Sequence, residues 1–503
     1  MKRWLPPVLL TLAFVLFRVP ALMNPGFINS DGAIAGLQAS RMLEGEWEVL
    51  HWARDYLTSI DSVMALPFFA LFGATPLVLM CVTVLAQLVS MWLAYAIVAR
   101  RLGPWLGFVL TLPLVFMTMG LNIYLFFNMR QWCMAIVLLS FFLIDRAAES
   151  RRPTLLLVLG ILAAFVAMFV DLFAAQFLPG LLLFACLSAL DGTWKFKPWP
   201  PLLPRVILGT ALGVVVLTVL RWVAHVSTGR AHLNTRLIPK NWPLLVEQCL
   251  PSVIGSKVFA MQNATVALAA SPGWFAPVQF LGATVFVAGL VSGAALFFAK
   301  RIPWRIRVLG AVGSGVAFTS IFGFLCSSTA VDIVGSRLLL PVVLTLPFTL
   351  APLAFLAATA PRLGLVLSPY LLTTVIGGWL SYGVMVDGPV PQRTEQGAMS
   401  EERALISLLR DRQVKYAAAN YWLSYRLTFI AGENPIVVSE NSEDRYPRWR
   451  LEFDQASRVA YLIHPDRPEL TLEDVEAGLV ARKLKYEKLT VLRYTVFLVE
   501  QHH

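Results

Sequence analysis

Two acids stand where a carboxylate could do chemistry. Asp31 lies in Asn29-Ser30-Asp31-Gly32-Ala33, just beyond the first apolar run, which extends from Lys2 to Met23. Asp171 interrupts two apolar stretches, Leu155–Val170 and Phe177–Leu190. A carboxylate at the edge of a bilayer can take a proton from an acceptor hydroxyl. It can also orient that hydroxyl while the glycosyl–phosphate bond of a lipid-linked donor breaks. An acid at a membrane-helix end on the same side could supply a second carboxylate. Each has a purely structural alternative: Ser30 or Asp31 could cap a helix over Ala33–Leu43, and Asp171 could be a cap or turn residue.

The elements that must position these acids are membrane helices. The chain has 503 residues, of which 57% are hydrophobic and only 14% charged, against about a quarter charged in soluble domains. The apolar residues fall into many runs, so the class is a polytopic helical membrane protein. Lys2-Arg3 ahead of the first run resembles a signal peptide. No small-x-small cleavage site follows before Asn24, so the run reads as a retained helix. With Lys2-Arg3 in the cytoplasm, further spans are predicted over Pro76–Ala99, Pro104–Leu121, Gln131–Ile144, Thr154–Val170, Phe177–Leu190, Ile207–Val223, Pro277–Phe298, Val308–Leu325, Leu338–Ala358 and Leu363–Val386. That makes about eleven spans. Arg100-Arg101, Arg146, Arg151-Arg152, Lys195, Lys197, Lys300–Arg307 and Arg362 then all fall on the cytoplasmic side. The run Val63–Phe72 is too short to cross and reads as an interfacial or re-entrant helix.

The dispersal of basic residues over short loops makes the net charge of +11 a topology signal, not a nucleic-acid surface. The five cysteines show neither a disulfide framework nor metal-ligand spacing. Cys249 and Cys326 fall on one predicted side and could pair. From Asp387 the composition becomes that of a soluble domain. Glu401–Arg410, Tyr421–Ile430 and Thr471–Lys483 read as helices, and Val414–Ala418, Pro435–Val438, Val459–Ile463 and Val491–Val499 as strands, giving a small α/β unit.

Several short stretches together carry a resemblance. They are Asn29-Ser30-Asp31-Gly32-Ala33-Ile34, Met42-Leu43-Glu44-Gly45-Glu46, His51 through Asp61, Leu71-Phe72-Gly73, Arg337-Leu338-Leu339-Leu340-Pro341 and, in the tail, Tyr416-Ala417, Tyr421 through Phe429 and Asp444-Arg445-Tyr446-Pro447. In combination they resemble the protein-mannosyltransferase-like (family 39) glycosyltransferases of bacteria, which have the GT-C membrane fold. Tyr56, Ser59 and Asp61 match a family stretch in type, whereas Ala53-Arg54 replaces its Gly-Gln and Thr58 a glycine. Many relatives carry Asp-Glu where this chain has Asp31-Gly32.

The resemblance implies inverting transfer of a monosaccharide, a hexose or pentose, from a polyprenyl-phosphate carrier to a lipid, glycan or protein acceptor. It makes Asp31 the catalytic residue, with Asp171 as a second acid. It places Tyr56 and Asp61 at the substrate. The leaving phosphate calls for fixed cations, and Arg130 and Arg337, at ends of predicted spans, could hold it by paired hydrogen bonds. Snorkelling at the interface is the alternative for each. Asp332 could pair with or orient Arg337. Arg221 and His225 lie near another outer helix end, where a lone histidine is more often a structural hydrogen-bonding group, and Arg230, Arg236, Lys240 and Lys257 give the long outer loop a positive bias.

The sequence therefore predicts an all-α GT-C membrane domain over residues 1–386 and an extracytoplasmic α/β domain over 387–503. The first outer loop, 24–73, carries the catalytic acid and interfacial helices. The expected setting is the bacterial inner membrane, with the N-terminus cytoplasmic and the C-terminal domain periplasmic. The partners are membrane lipids, the polyprenyl-phosphate sugar and the acceptor, with no nucleic acid. No cofactor is assigned. A divalent metal is left open by the resemblance, and no metal ligands are assigned. The competing readings are a lipid or glycan flippase, which would place charges mid-span and show internal repeats, and an inactive scaffold of the same fold.

Overall fold

The long apolar runs fold as helices because a backbone in hydrocarbon must satisfy its own polar groups. The computed structural model describes residues 4–23, 25, 28–117, 130–147, 149–188, 202–226, 233–257, 259–262, 265–268, 273–359, 361–385, 399–442, 444–465 and 469–501. The first helices are α1 (Leu5–Leu22), α2 (Ser30–Leu43), α3 (Ile60–Phe72), α4 (Pro76–Leu102), α5 (Pro104–Val115), α6 (Gln131–Ala147) and α7 (Pro153–Val170). Further helices include Leu202–Val223, Ala276–Ala295, Trp304–Leu325 and Pro361–Met385.

Among the described residues, seven helices are long and apolar enough to cross a membrane. The expected count of eleven is thus not confirmed. Pro104–Val115 and Leu172–Leu187 are apolar but shorter. The predicted span to Leu121 runs into residues outside the described ones, as do Lys2-Arg3, Lys195, Lys197 and Arg230. Leu12, Val15, Leu16, Val215, Trp222 and Phe280 lie bare on helix surfaces, as lipid contact requires. The helix α3, with 13 residues, spans only about 20 Å against a hydrocarbon core of about 30 Å. It agrees with the expectation of a short, non-spanning element.

The basic loops gather at one end of the bundle. There Arg100 and Arg101 of α4 both pair with Asp145 of α6, which is 1% exposed. Glu149 pairs with Arg100 and with Arg305.

At the opposite end of α4 sits a sheet of order β4-β3-β5-β7-β6. Its strands are β3 (Tyr416–Ala419), β4 (Ile436–Ser439), β5 (Arg458–Ile463), β6 (Tyr486–Val491) and β7 (Tyr494–Glu500); β1 (Phe259–Gln262) and β2 (Thr265–Leu268) form a separate hairpin. β3 runs parallel to β4 and β5, and β7 antiparallel to β5 and β6. The helices Ser400–Asp411, Tyr421–Ile430, Pro447–Asp454 and Leu472–Ala481 complete the domain.

Every residue of α2 from Gly32 to Ala39 is buried. A helix buried on all sides has a partner on each. Here one side meets α3 and α4, and the other meets the Tyr421–Ile430 helix. One apolar cluster accordingly runs from Ile34, Leu37, Phe69 and Leu79 into Tyr425, Phe429 and Trp449. Gly36 permits the approach: a Cβ there would lie 2.6 Å from Phe429 Cζ. Phe429 in turn stacks on Phe69, with ring centroids 6.1 Å apart. The first loop and the C-terminal domain thus share one core.

Candidate active site

Asp31 sits in the first turn of α2, and the structure separates it from the capping role. Asn29 caps the helix, its Oδ1 accepting from the Gly32 N–H at 2.9 Å. Ser30, also considered as a cap, donates its hydroxyl to the Tyr421 carbonyl at 2.5 Å. Asp31 is left half-buried, and its Oδ1 accepts a hydrogen bond from the Tyr421 hydroxyl. Among the described residues its second oxygen has no hydrogen-bond partner.

Behind Tyr421 stands Arg445, 8% exposed. Its Nε donates to Tyr421 Oη at 3.3 Å and its Nη1 to the Ala53 carbonyl at 3.2 Å. Ala53 has φ of 51°, in the left-handed region that glycine occupies most readily. This accounts for the glycine that family relatives often carry there, and the Arg445 bond holds the turn that alanine adopts. Burial, followed by the charge of Asp31, pushes the Tyr421 phenol above its ordinary value, so the hydroxyl keeps its proton. Burial and then the Arg445 and Arg54 guanidinium groups push His51 down to about 3. It is therefore a neutral imidazole near pH 7.

A second polar cluster lies where the first loop meets the ends of α6 and α7. Leu57 bridges to Asp171, and Thr58 donates its backbone N–H to the Val170 carbonyl at 3.0 Å. Arg130, at a φ of 74° just ahead of α6, donates its Nε to Asp171 Oδ2 at 2.5 Å and lies over the Phe173 ring. Its backbone N–H donates to Asp61 Oδ2 at 3.2 Å. Asp171 also accepts from the Phe173 N–H at 2.9 Å, so it does act as a local cap. Asp61 is 4% exposed, and among the described residues its Oδ1 has no hydrogen-bond partner. Burial, against the backbone N–H bonds of Arg130 and Trp132, pushes its carboxyl up to about 8. Of the two acids beside Arg130, Asp171 makes the ion pair and Asp61 keeps its proton at neutral pH.

The structure thus brings Arg130, Asp171 and Asp61 together and sets Asp31 in a separate cluster with Tyr421 and Arg445. The two clusters are linked through α2 and α3, where Ser62 donates to Gln38 Oε1 at 3.2 Å. Arg337 lies in the turn Ile333–Leu339 ahead of the helix Leu340–Thr349, half-buried. Among the described residues it pairs with no carboxylate, Asp332 included. Tyr56 is half-buried beneath the Arg54 guanidinium, 5.9 Å from its ring centroid, and enters neither cluster by hydrogen bond. Cys249 and Cys326 are free thiols. No group of three or more His, Cys, Asp or Glu among the described residues is placed to hold a metal ion.

Sequence reasoning missed Tyr421 and Arg445 as members of the site, although both fell inside quoted tail motifs. It also passed over Arg18, fully buried in α1. The Arg18 Nε donates to Gln87 Oε1 at 3.2 Å and its Nη1 to the Val115 carbonyl at 2.6 Å, beside the Phe14 ring. A charged residue within a predicted span was the available signal.

Comparison with known proteins bears on this geometry. Residues 63–222 match the family model described as dolichyl-phosphate-mannose-protein mannosyltransferase. That segment contains Arg130 and Asp171 but neither Asp31 nor Arg337. The fold is similar to that of ArnT from Cupriavidus metallidurans, crystallised with undecaprenyl phosphate, at a TM-score of 0.59 and 13% identity over 98% of this chain and 97% of that one. It is also similar to the oligosaccharyltransferase of Archaeoglobus fulgidus in its apo form, at a TM-score of 0.51 and 9% identity over 91% of this chain and 70% of that one. A search of curated protein sequences found no significant match. The fold is that of the GT-C membrane glycosyltransferases. The segment 63–222 is similar to the protein-mannosyltransferase-like family.

Proposed function

We propose that this protein is an inverting membrane glycosyltransferase that moves a hexose or pentose from a polyprenyl-phosphate carrier to a lipid, glycan or protein acceptor. The observation that carries this reading is the carboxylate of Asp31, excused from capping by Asn29, fixed through one oxygen and open at the other. In the proposed reaction the acceptor O–H gives its proton to that open oxygen. The acceptor oxygen bonds to the anomeric carbon from the face opposite the phosphate. The carbon–oxygen bond to phosphate breaks, and polyprenyl phosphate leaves with the bonding electrons.

The leaving phosphate needs an uncommitted cation. Arg130 is already neutralised by Asp171, so Arg337 is the principal phosphate holder in this reading and Arg130 a secondary one. Asp61, carrying a proton, can donate to a sugar hydroxyl, with Tyr56 near the same loop. Asp171 orients Arg130. The site end of the bundle faces the periplasm of the bacterial inner membrane and the basic end faces the cytoplasm, which sets the N-terminus inside and the domain over 387–503 outside. No step is assigned to a metal.

The test is transfer by purified protein supplied with a panel of polyprenyl-phosphate hexoses and pentoses. Asp31→Asn should lower transfer by roughly 100-fold or more while the protein still inserts and melts as the wild type does. Undiminished transfer by that variant would overturn the reading, and with it the distinction from a flippase or scaffold.

A further inference from the structure

We infer that the C-terminal domain completes the catalytic site, with Tyr421 and Arg445 as positioning residues for Asp31. This rests on the glycosyltransferase reading and deepens it, because it assigns roles 390 residues away from the acid.

The argument begins with proton counting. A phenol has one proton to give and can accept as well, whereas a guanidinium only donates. Arg445 Nε donates to Tyr421 Oη. The one Tyr421 proton must therefore point elsewhere, and it points to Asp31 Oδ1. Arg445 thus fixes the direction in which Tyr421 donates. Tyr421 in turn fixes which oxygen of Asp31 is occupied and which one is open.

Each member is itself held. The Tyr421 backbone N–H donates to Asn441 Oδ1 at 2.9 Å, and its carbonyl accepts from Ser30, the neighbour of Asp31. The Arg445 backbone N–H donates to Tyr425 Oη at 2.5 Å, and its guanidinium lies over the Tyr421 ring, 5.3 Å from the centroid. Its remaining reach, to the Ala53 carbonyl, ties the same side chain to the first loop. Three segments distant in sequence therefore converge on one carboxylate: the first loop, the Tyr421–Ile430 helix and the turn before Pro447. A domain that only covered the membrane part would not need a buried arginine oriented in this way.

The experiment uses the full-length protein. Tyr421→Phe keeps the ring, which packs against Trp422 and Tyr425, and removes only the hydroxyl. With the same donor panel, it should lower kcat roughly 10- to 100-fold with donor KM little changed, at an unchanged melting temperature. Arg445→Lys, which retains a donor, should recover part of the kcat that Arg445→Met loses. Wild-type kcat in Tyr421→Phe, or a loss confined to KM, would overturn the inference. Loss in Asp31→Asn would still uphold the function.

A second measurement does not depend on finding the donor. With 3-fluorotyrosine at position 421, the fluorine resonance should move in Asp31→Asn and in Arg445→Met. A resonance indifferent to both substitutions would also overturn the inference, whatever the transfer assay returns and even if Tyr421→Phe folds poorly.

Discussion

The Nε of Arg130 donates to Asp171 Oδ2 over 2.5 Å, with Asp171 almost wholly buried. The cation ahead of α6 is therefore committed before any phosphate reaches it, whereas Arg337 is paired with no carboxylate among the described residues. The two arginines should fail differently. Removing one partner of a buried pair leaves an uncompensated charge, at a cost of about 3–5 kcal/mol. Arg130→Ala should lower the melting temperature in detergent markedly. Arg337→Ala should melt as the wild type does and raise the donor KM. Equal melting temperatures for the two variants would remove the distinction.

Asp61 gives a pH signature. Its folded carboxyl titrates at about 8, above its ordinary value of 3.8. Between those values the unfolded chain releases a proton that the folded chain retains, so stability drains as pH rises through that window. The melting temperature of the wild type should fall from pH 4 to pH 8. Asp61→Asn, which stays neutral throughout, should show a flatter profile and be the more stable protein above pH 8. Parallel profiles for the two would place the proton elsewhere.

The contact between Gly36 and Phe429 predicts a compensating pair. Gly36→Ala drives a methyl into the Phe429 ring, and overpacking of this kind costs about 1–3 kcal/mol. Limited proteolysis should then cut faster between the membrane helices and the sheet domain. Gly36→Ala combined with Phe429→Leu should restore resistance. Additive damage from the two substitutions would count against a shared core.

Much of this was legible in the sequence because period and composition are local. The Tyr421–Ile430 helix has the bounds expected of it, and three expected strands reappear as β3, β4 and β5. The terminal stretch Val491–Val499 was read as one strand. It is instead the turn and second arm of a hairpin, because the exposed, charge-rich arm Tyr486–Val491 lacks the apolar alternation that marks a strand. Pro447–Asp454 carries four charges in eight residues and gave no helical signal, yet Trp449 and Phe453 anchor it in the core. The acid Asp31 could be picked out from its place after an apolar run. Its partner could not, because nothing local to Tyr421 records which residue lies opposite its hydroxyl.

Asp145 offers a control remote from the site. It holds both Arg100 and Arg101 while 1% exposed. Asp145→Ala should cost about 3–5 kcal/mol without changing donor KM. Single-cysteine labelling should place Glu149→Cys on the cytoplasmic face and Glu487→Cys on the opposite one. Labelling of both from the same side would refute the proposed orientation.

The charged knot of Arg100, Arg101, Asp145, Glu149 and Arg305 has a mechanical corollary. Helices clasped at one extremity can part only at the other, as the jaws of a clothes-peg do. A long isoprenoid tail seeking entry between them would slip in from the unclasped extremity, the same one that presents Asp31. Its phosphate would then be the last part of the molecule to arrive, and Arg337 would be waiting there to receive it.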